Sequence, residues 1–115
     1  MLDKLKSPIK ISVKNGYAYE IMGKSDAKKL LRAIKPLGKS AFNIAEFGIG
    51  TNPKAKITGN ILEDEKVIGT CHVALGNSTG LGGKIYAKCH LDGIMTKPTI
   101  YFDKKCIMHN GKFLI

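Results

Sequence analysis

Two histidines and most of the carboxylates set among apolar neighbours fall between residues 43 and 93. His90 and Asp92 stand two apart. In a strand, positions i and i+2 project to one face, so a single strand can present an imidazole and a carboxylate together while Leu91 turns into the core. His72 lies in a second apolar stretch, Thr-Cys-His-Val-Ala. Brought alongside, it would complete a set of two histidines and one carboxylate, which suits Zn, Fe(II), Co or Mn. Glu46 is a fourth candidate ligand or a bridge, and the run Glu63-Asp64-Glu65 can supply a general base. His109, beside a turn, reads as surface. Cys71 and Cys89 each precede a candidate histidine. Strand alternation sends them to the opposite face, so they read as small core residues rather than thiolate ligands.

These residues need a scaffold, and its elements can be read from periodicity. Residues 1–7 form a polar lead-in. Ile9, Ile11 and Val13 alternate with polar residues, as do Tyr17, Tyr19 and Ile21 after Asn15-Gly16, which predicts a hairpin. A two-residue turn would set Ile11 against Glu20. A three-residue loop pairs Val13 with Tyr17, Ile11 with Tyr19 and Ile9 with Ile21, and is the expected form. Ser25 as N-cap, Asp26 in the first turn and the stripe Ala27, Leu30, Leu31, Ile34 and Leu37 predict one main helix over about 26–37, ended by Pro36 and Gly38. Residues 41–48 read as a strand carrying Glu46, with a short strand over 54–60 and a helical turn or tight loop over 61–66. A further strand over 70–75 carries His72. Residues 86–102 carry more β pattern, broken near Pro98. The C-terminus reads as a hairpin about Asn110-Gly111 that pairs Met108 with Phe113. The glycine-rich segment 76–83 fails the phosphate-loop pattern, because Ser78 stands where its first glycine belongs and Ile85 follows Lys84. The fold class expected is α+β: one β-rich domain over 1–115, with hairpins forming a barrel-like or curved mixed sheet.

Composition narrows the classes. The chain has 115 residues, enough for one hydrophobic core. No apolar run approaches the roughly 20 residues of a membrane span, and the N-terminus has no apolar signal region. Three cysteines make no closed disulfide framework and fit a reducing, cytoplasmic setting. The net charge is +10, yet only Arg32 among the 19 basic residues is arginine. Specific nucleic-acid readers lean on arginine, so a solvated lysine surface is the reading and a nucleic-acid partner is argued against.

The motifs around residues 43–53, 58–66, 69–76 and 90–93, in that order, resemble the C-terminal part of the thermophilic metallo-aminopeptidases, the aminopeptidase T and aminopeptidase S family, which is leucyl-aminopeptidase-like. The resemblance implies a cytoplasmic hydrolase that removes N-terminal residues from peptides. It implies Glu46, His72, His90 and Asp92 as metal ligands and Glu65 as the catalytic carboxylate that takes a proton from a metal-bound water. The implied cofactor is Zn, Co or Mn, with Fe a further choice, as one or two ions. The family's ligand tyrosine has no counterpart in Gly76-Asn-Ser-Thr-Gly80, and its first metal-binding glutamate lies upstream. The resemblance therefore implies that a homo-oligomer or partner chain completes the site, or that the chain is a non-catalytic metal-binding or assembly module. The same set of two histidines and an aspartate also resembles the iron site of the ring-cleaving dihydroxypyridine dioxygenases, which implies a mononuclear enzyme instead.

Overall fold

A computed structural model of the chain describes residues 5–115, so the first four residues of the expected lead-in lie outside the described residues. Among the described residues there are eight strands in three sheets and one main helix, with no closed barrel. This is the β-rich α+β class that the periodicity predicts. The chain falls into two compact units. The first holds the chain up to Ala45 together with Leu75–Leu91; the second holds Glu46–Ala74 and Asp92–Ile115.

The first unit opens with β1 (Ile9–Lys14) and β2 (Tyr17–Gly23), paired antiparallel. Asn15 and Gly16 both have positive φ, 53° and 81°, which marks a two-residue primed turn rather than the three-residue loop expected. The conflict between Ile11 and Glu20 is resolved by a β-bulge. Val13 pairs with Ala18, the register shifts, and Ser12 pairs with Glu20, so Ile11 meets Ile21. The extra residue is Tyr19, which is exposed.

α1 (Ser25–Ile34) follows, with Ala27 and Ile34 fully buried. Ser25 is its first helical residue rather than its cap. The helix stops at Ile34 because Pro36 has no N–H for a continuing ladder, and a 3-10 turn over Lys35–Leu37 leads to Gly38 at φ 85°. A second 3-10 turn, Lys39–Phe42, takes the place of the first residues of the strand expected at 41–48. Ala18, Ile34, Ala41 and Leu75 form this unit's core, with Ile11, Leu30, Phe42 and Leu91 packed against it.

The third to fifth strands, β3 (Ile44–Ile49), β4 (Thr70–Gly76) and β5 (His90–Thr96), form a sheet in that order. In the second unit, the short strand expected at 54–60 does not form. Asp64, at the end of the single-turn α2 (Ile61–Asp64), holds that segment as a loop instead: its carboxylate accepts from Thr58 N at 2.7 Å and Gly59 N at 3.0 Å. Pro98 breaks the chain between β5 and β6 (Ile100–Phe102). β7 (Lys105–His109) pairs with β6, and with β8 (Lys112–Phe113) about Asn110-Gly111, where Met108 faces Phe113 as expected. Cys71, Ile100, Ile107 and Met108 form the core of this unit, with Ile49 against it.

Candidate metal centre

The second unit carries the chemistry. β3 and β4 approach closely because Gly50 N donates to Thr70 O at 3.0 Å, and two residues before Gly50 there is again no side chain. A methyl group at Gly48 would collide with Cε1 and Nε2 of His72. The His72 ring therefore lies over Gly48. An isolated glycine in a strand is the sequence signal for such an approach, although Gly48 reads from the sequence as the strand's end.

In that position His72 Nε2 lies 2.9 Å from Glu46 Oε2 and 3.9 Å from Glu65 Oε2. Glu46 comes from β3. Glu65 follows α2, whose turn is held by Asp64 N and Glu63 N donating to Asn60 O at 2.8 and 3.1 Å. The three side chains offer ligand atoms that all lie within 4.8 Å of one another. The histidine side chain is 8% exposed, and the carboxylates are about a quarter and a fifth exposed. His72 Nδ1 is buried and has no hydrogen-bond partner among the described residues.

Two carboxylates facing one buried imidazole nitrogen need a positive charge among them, since like charges in a low dielectric repel strongly. One nitrogen and carboxylate oxygens are also a donor set for borderline and hard divalent cations. The residues therefore fit a metal ion. They line a cleft of about 370 Å³, together with Gly48, Ile49, Gly50, Thr51, Asn52 and Lys66.

His90 opens β5, is exposed, and has Nδ1 at 2.8 Å from Asn77 O. A carbonyl only accepts, so His90 Nδ1–H donates and the ring lone pair sits on Nε2, the tautomer a ligand histidine uses. No local pattern along the chain marks this carbonyl. Asp92 is half-buried on the same strand and Leu91 packs into the core, as alternation requires. Asp64 is a loop-holding carboxylate, not a site residue. His109 is exposed. Cys71 sits in the core, and burial pushes the Cys71 and Cys89 thiols above their ordinary pKa. No helix among the described residues is long and apolar enough to cross a membrane.

Comparison with known proteins separates the two resemblances. The sequence profile of the NicX family, 2,5-dihydroxypyridine 5,6-dioxygenase, matches residues 2–115. The solved structure of 2,5-dihydroxypyridine dioxygenase from Pseudomonas putida KT2440 superposes with a TM-score of 0.79 at 23% identity, over 96% of this chain. At that identity the likeness is one of fold, and the chain spans 35% of the solved protein's length. No curated protein matches.

These matches overturn the aminopeptidase reading, and with it the peptide substrate and the leucyl-aminopeptidase-like hydrolase class. The misreading has a physical source. The motifs that suggested a peptidase lie on β3, α2, β4 and β5, so they report a scaffold of paired strands. The ligand tyrosine that would mark a two-metal peptidase has no match in Gly76-Asn-Ser-Thr-Gly80. The chain belongs to the 2,5-dihydroxypyridine 5,6-dioxygenase (NicX) family.

Proposed function

We propose that the chain is a metal-binding module of a ring-opening dioxygenase acting on a small hydroxylated pyridine, with a divalent cation held by Glu46, His72 and Glu65. The observation that carries this is the meeting of one imidazole nitrogen and two carboxylates at the edge of a cleft, in a chain whose family is described by that reaction. Iron(II) or Mn suits the mixed nitrogen and oxygen donors best. When bound, such an ion supplies Lewis acidity and, for iron, redox access to dioxygen. The chain's own residues do the remaining work. Gly48 lets the His72 ring come close against β3 and so fixes its direction. Glu65, whose Oε2 lies 3.9 Å from His72 Nε2, completes the donor set as the more distant carboxylate. His90 and Asp92 are ligand candidates of their own strand. Further protein, a second copy or another chain, closes the cleft from solvent, and three free cysteines suit the reducing cytoplasm.

Metal content after loading with Fe(II), Mn or Zn, together with oxygen uptake on 2,5-dihydroxypyridine, tests this. The wild type should hold about one equivalent. His72→Ala and Glu46→Gln should weaken retention at least tenfold, on the scale of 10–100-fold seen when even supporting groups of a site are removed. Oxygen uptake should match ring loss one to one. Retention unchanged in His72→Ala, with loss in His90→Ala, would remove the ion from the proposed site. Bound metal without oxygen uptake would make the chain a non-catalytic metal-binding or assembly module.

A further inference from the structure

The chain contains two Asn-Gly pairs, and each forms the tip of a hairpin, one between β1 and β2 and the other between β7 and β8. Their backbones are nearly alike. Asn15 and Gly16 have φ of 53° and 81°, and Asn110 and Gly111 have φ of 49° and 82°. Both asparagines are exposed. The two tips differ in the amide that follows the asparagine. Gly111 N donates to Pro98 O at 2.9 Å, and Asn110 N donates to Thr99 Oγ1 at 3.2 Å. That turn is also closely packed: a Cβ on Gly111 would lie 3.0 Å from Lys97 Cα and 3.2 Å from Gly69 O. At the first hairpin the Gly16 carbonyl accepts from Ile44 N at 2.8 Å, but no backbone carbonyl among the described residues takes the Gly16 N–H. Gly16 is exposed, and a Cβ there would meet nothing within 4 Å.

An amide nitrogen that follows an asparagine can attack its side chain, and glycine leaves that nitrogen unshielded. From the contrast between the two tips we infer that Asn15 is a site of spontaneous covalent modification, with water as the co-reactant, and that the fold protects Asn110 from the same reaction. The Gly16 nitrogen attacks Asn15 Cγ. A bond forms between them, the Cγ–Nδ2 bond breaks, and Nδ2 leaves as ammonia with the proton of the Gly16 amide. The succinimide ring so formed takes up one water at either of its carbonyls and opens to aspartate or isoaspartate. Nothing is oxidised or reduced. At Asn110 the Gly111 amide must first leave Pro98 O, so the turn has to open locally before the attack. Asn77, followed by the small Ser78, is held in a similar way: Ser78 N donates to Ile85 O at 3.0 Å, and Asn77 Oδ1 accepts from Thr79 Oγ1 at 3.0 Å. Either product places a carboxylate at the tip of the first hairpin. Isoaspartate also routes the main chain through Cβ, which lengthens a turn whose length sets the register of β1 on β2.

The test holds the freshly purified full chain at pH 8 and 37 °C in water enriched in oxygen-18, with a parallel sample in guanidinium chloride. Digestion and mass spectrometry over several weeks read the exchange of side-chain amide nitrogen for labelled oxygen at Asn15 and at Asn110. In the native chain Asn15 should convert at least about tenfold faster than Asn110. In denaturant the two rates should agree within about twofold, because Pro98 no longer holds Gly111 and each asparagine precedes a glycine. A native ratio below tenfold, faster conversion at Asn110, or no conversion at either site overturns the inference. A ratio that persists in denaturant overturns it too, since neighbouring sequence rather than the folded turn would then set the rates.

Discussion

His72 is useful only because Gly48 has no side chain. The ring lies where a Cβ on Gly48 would be, and that contact sets the direction of Nε2 toward Glu46. Gly48→Ala should therefore act on the site before it acts on the fold. Adding one methyl to a packed position costs about 1–3 kcal/mol, enough to lower the unfolding midpoint by several degrees. The larger effect should be a loss of metal affinity of tenfold or more as the ring is pushed off line. Titration of the loaded variant with a chelator reads this directly. Wild-type metal retention in Gly48→Ala would show that the ring's position does not matter. At this scale the sequence reveals candidates but not company. His72, Glu46 and Glu65 stand out from the string. That Glu65 and Glu46 meet the same imidazole depends on a fold-back of 26 residues between β3 and β4, which no local pattern encodes. The cysteines were legible, because alternation alone puts Cys71 in the core.

The elements show how far periodicity carries and where local conflicts override it. The main helix, the β4 and C-terminal strands and the turn at Asn110-Gly111 follow from spacing and turn chemistry. The first hairpin does not. A three-residue loop would keep Ile11 away from Glu20, and the chain reaches the same end with a two-residue turn by inserting Tyr19 as a bulge. Binary patterning sees the conflict but not which of two geometries relieves it. Asp26 is another case. Spacing reads it only as a favourable charge in the helix's first turn, where it does lie, but it is also 2% exposed and accepts the backbone N–H groups of Ser7, at 2.9 Å, and Lys6. Those backbone bonds, Ser7 first and then Lys6, hold its carboxyl below the ordinary aspartate range against the opposing effect of burial, with Lys29 adding to the lowering. A carboxyl with a lowered folded-state pKa contributes stability that is fully present above the unfolded value of about 3.9 and is lost as pH falls through the folded value. Asp26→Asn keeps the shape and cannot ionise. It should unfold at a lower temperature than wild type at pH 6, with the gap closing as pH falls below about 4. Parallel melting curves for the two proteins from pH 6 down to pH 2.5 would show that this carboxylate does not tie the start of the chain to α1.

The charge of the whole molecule is unevenly held, and this could not be seen while the lysines were counted along the string. The unit made of the chain up to Ala45 and Leu75–Leu91 has only Asp3, Glu20 and Asp26 as carboxylates against twelve basic residues. The other unit has nearly as many acids as bases and holds the metal-site glutamates, so almost all of the +10 belongs to the first. Lys28 and Arg32 on α1 and Lys35 just after it recur at helical spacing, and Lys28, Lys29, Arg32 and Lys35 are all exposed. A field of this kind attracts anions over about one Debye length, roughly 10 Å at 0.1 M salt, and it is indifferent to sequence because lysine presents a point charge rather than a planar fork. The chain should therefore bind heparin and any DNA duplex at about 50 mM salt and release both as salt rises, with log affinity falling linearly in log salt. Lys28→Glu with Lys35→Glu should lower the elution salt and reduce the slope by about the number of phosphate contacts removed, while metal content stays at the wild-type level. Retention that ignores salt, or a preference among duplexes of different sequence that persists in the double variant, would mean that something more specific than a lysine field is at work. With the acidic cleft residues in one unit and the excess charge in the other, the metal site and the cationic surface are separable properties of this chain, and this pair of substitutions is the direct measure of that separation.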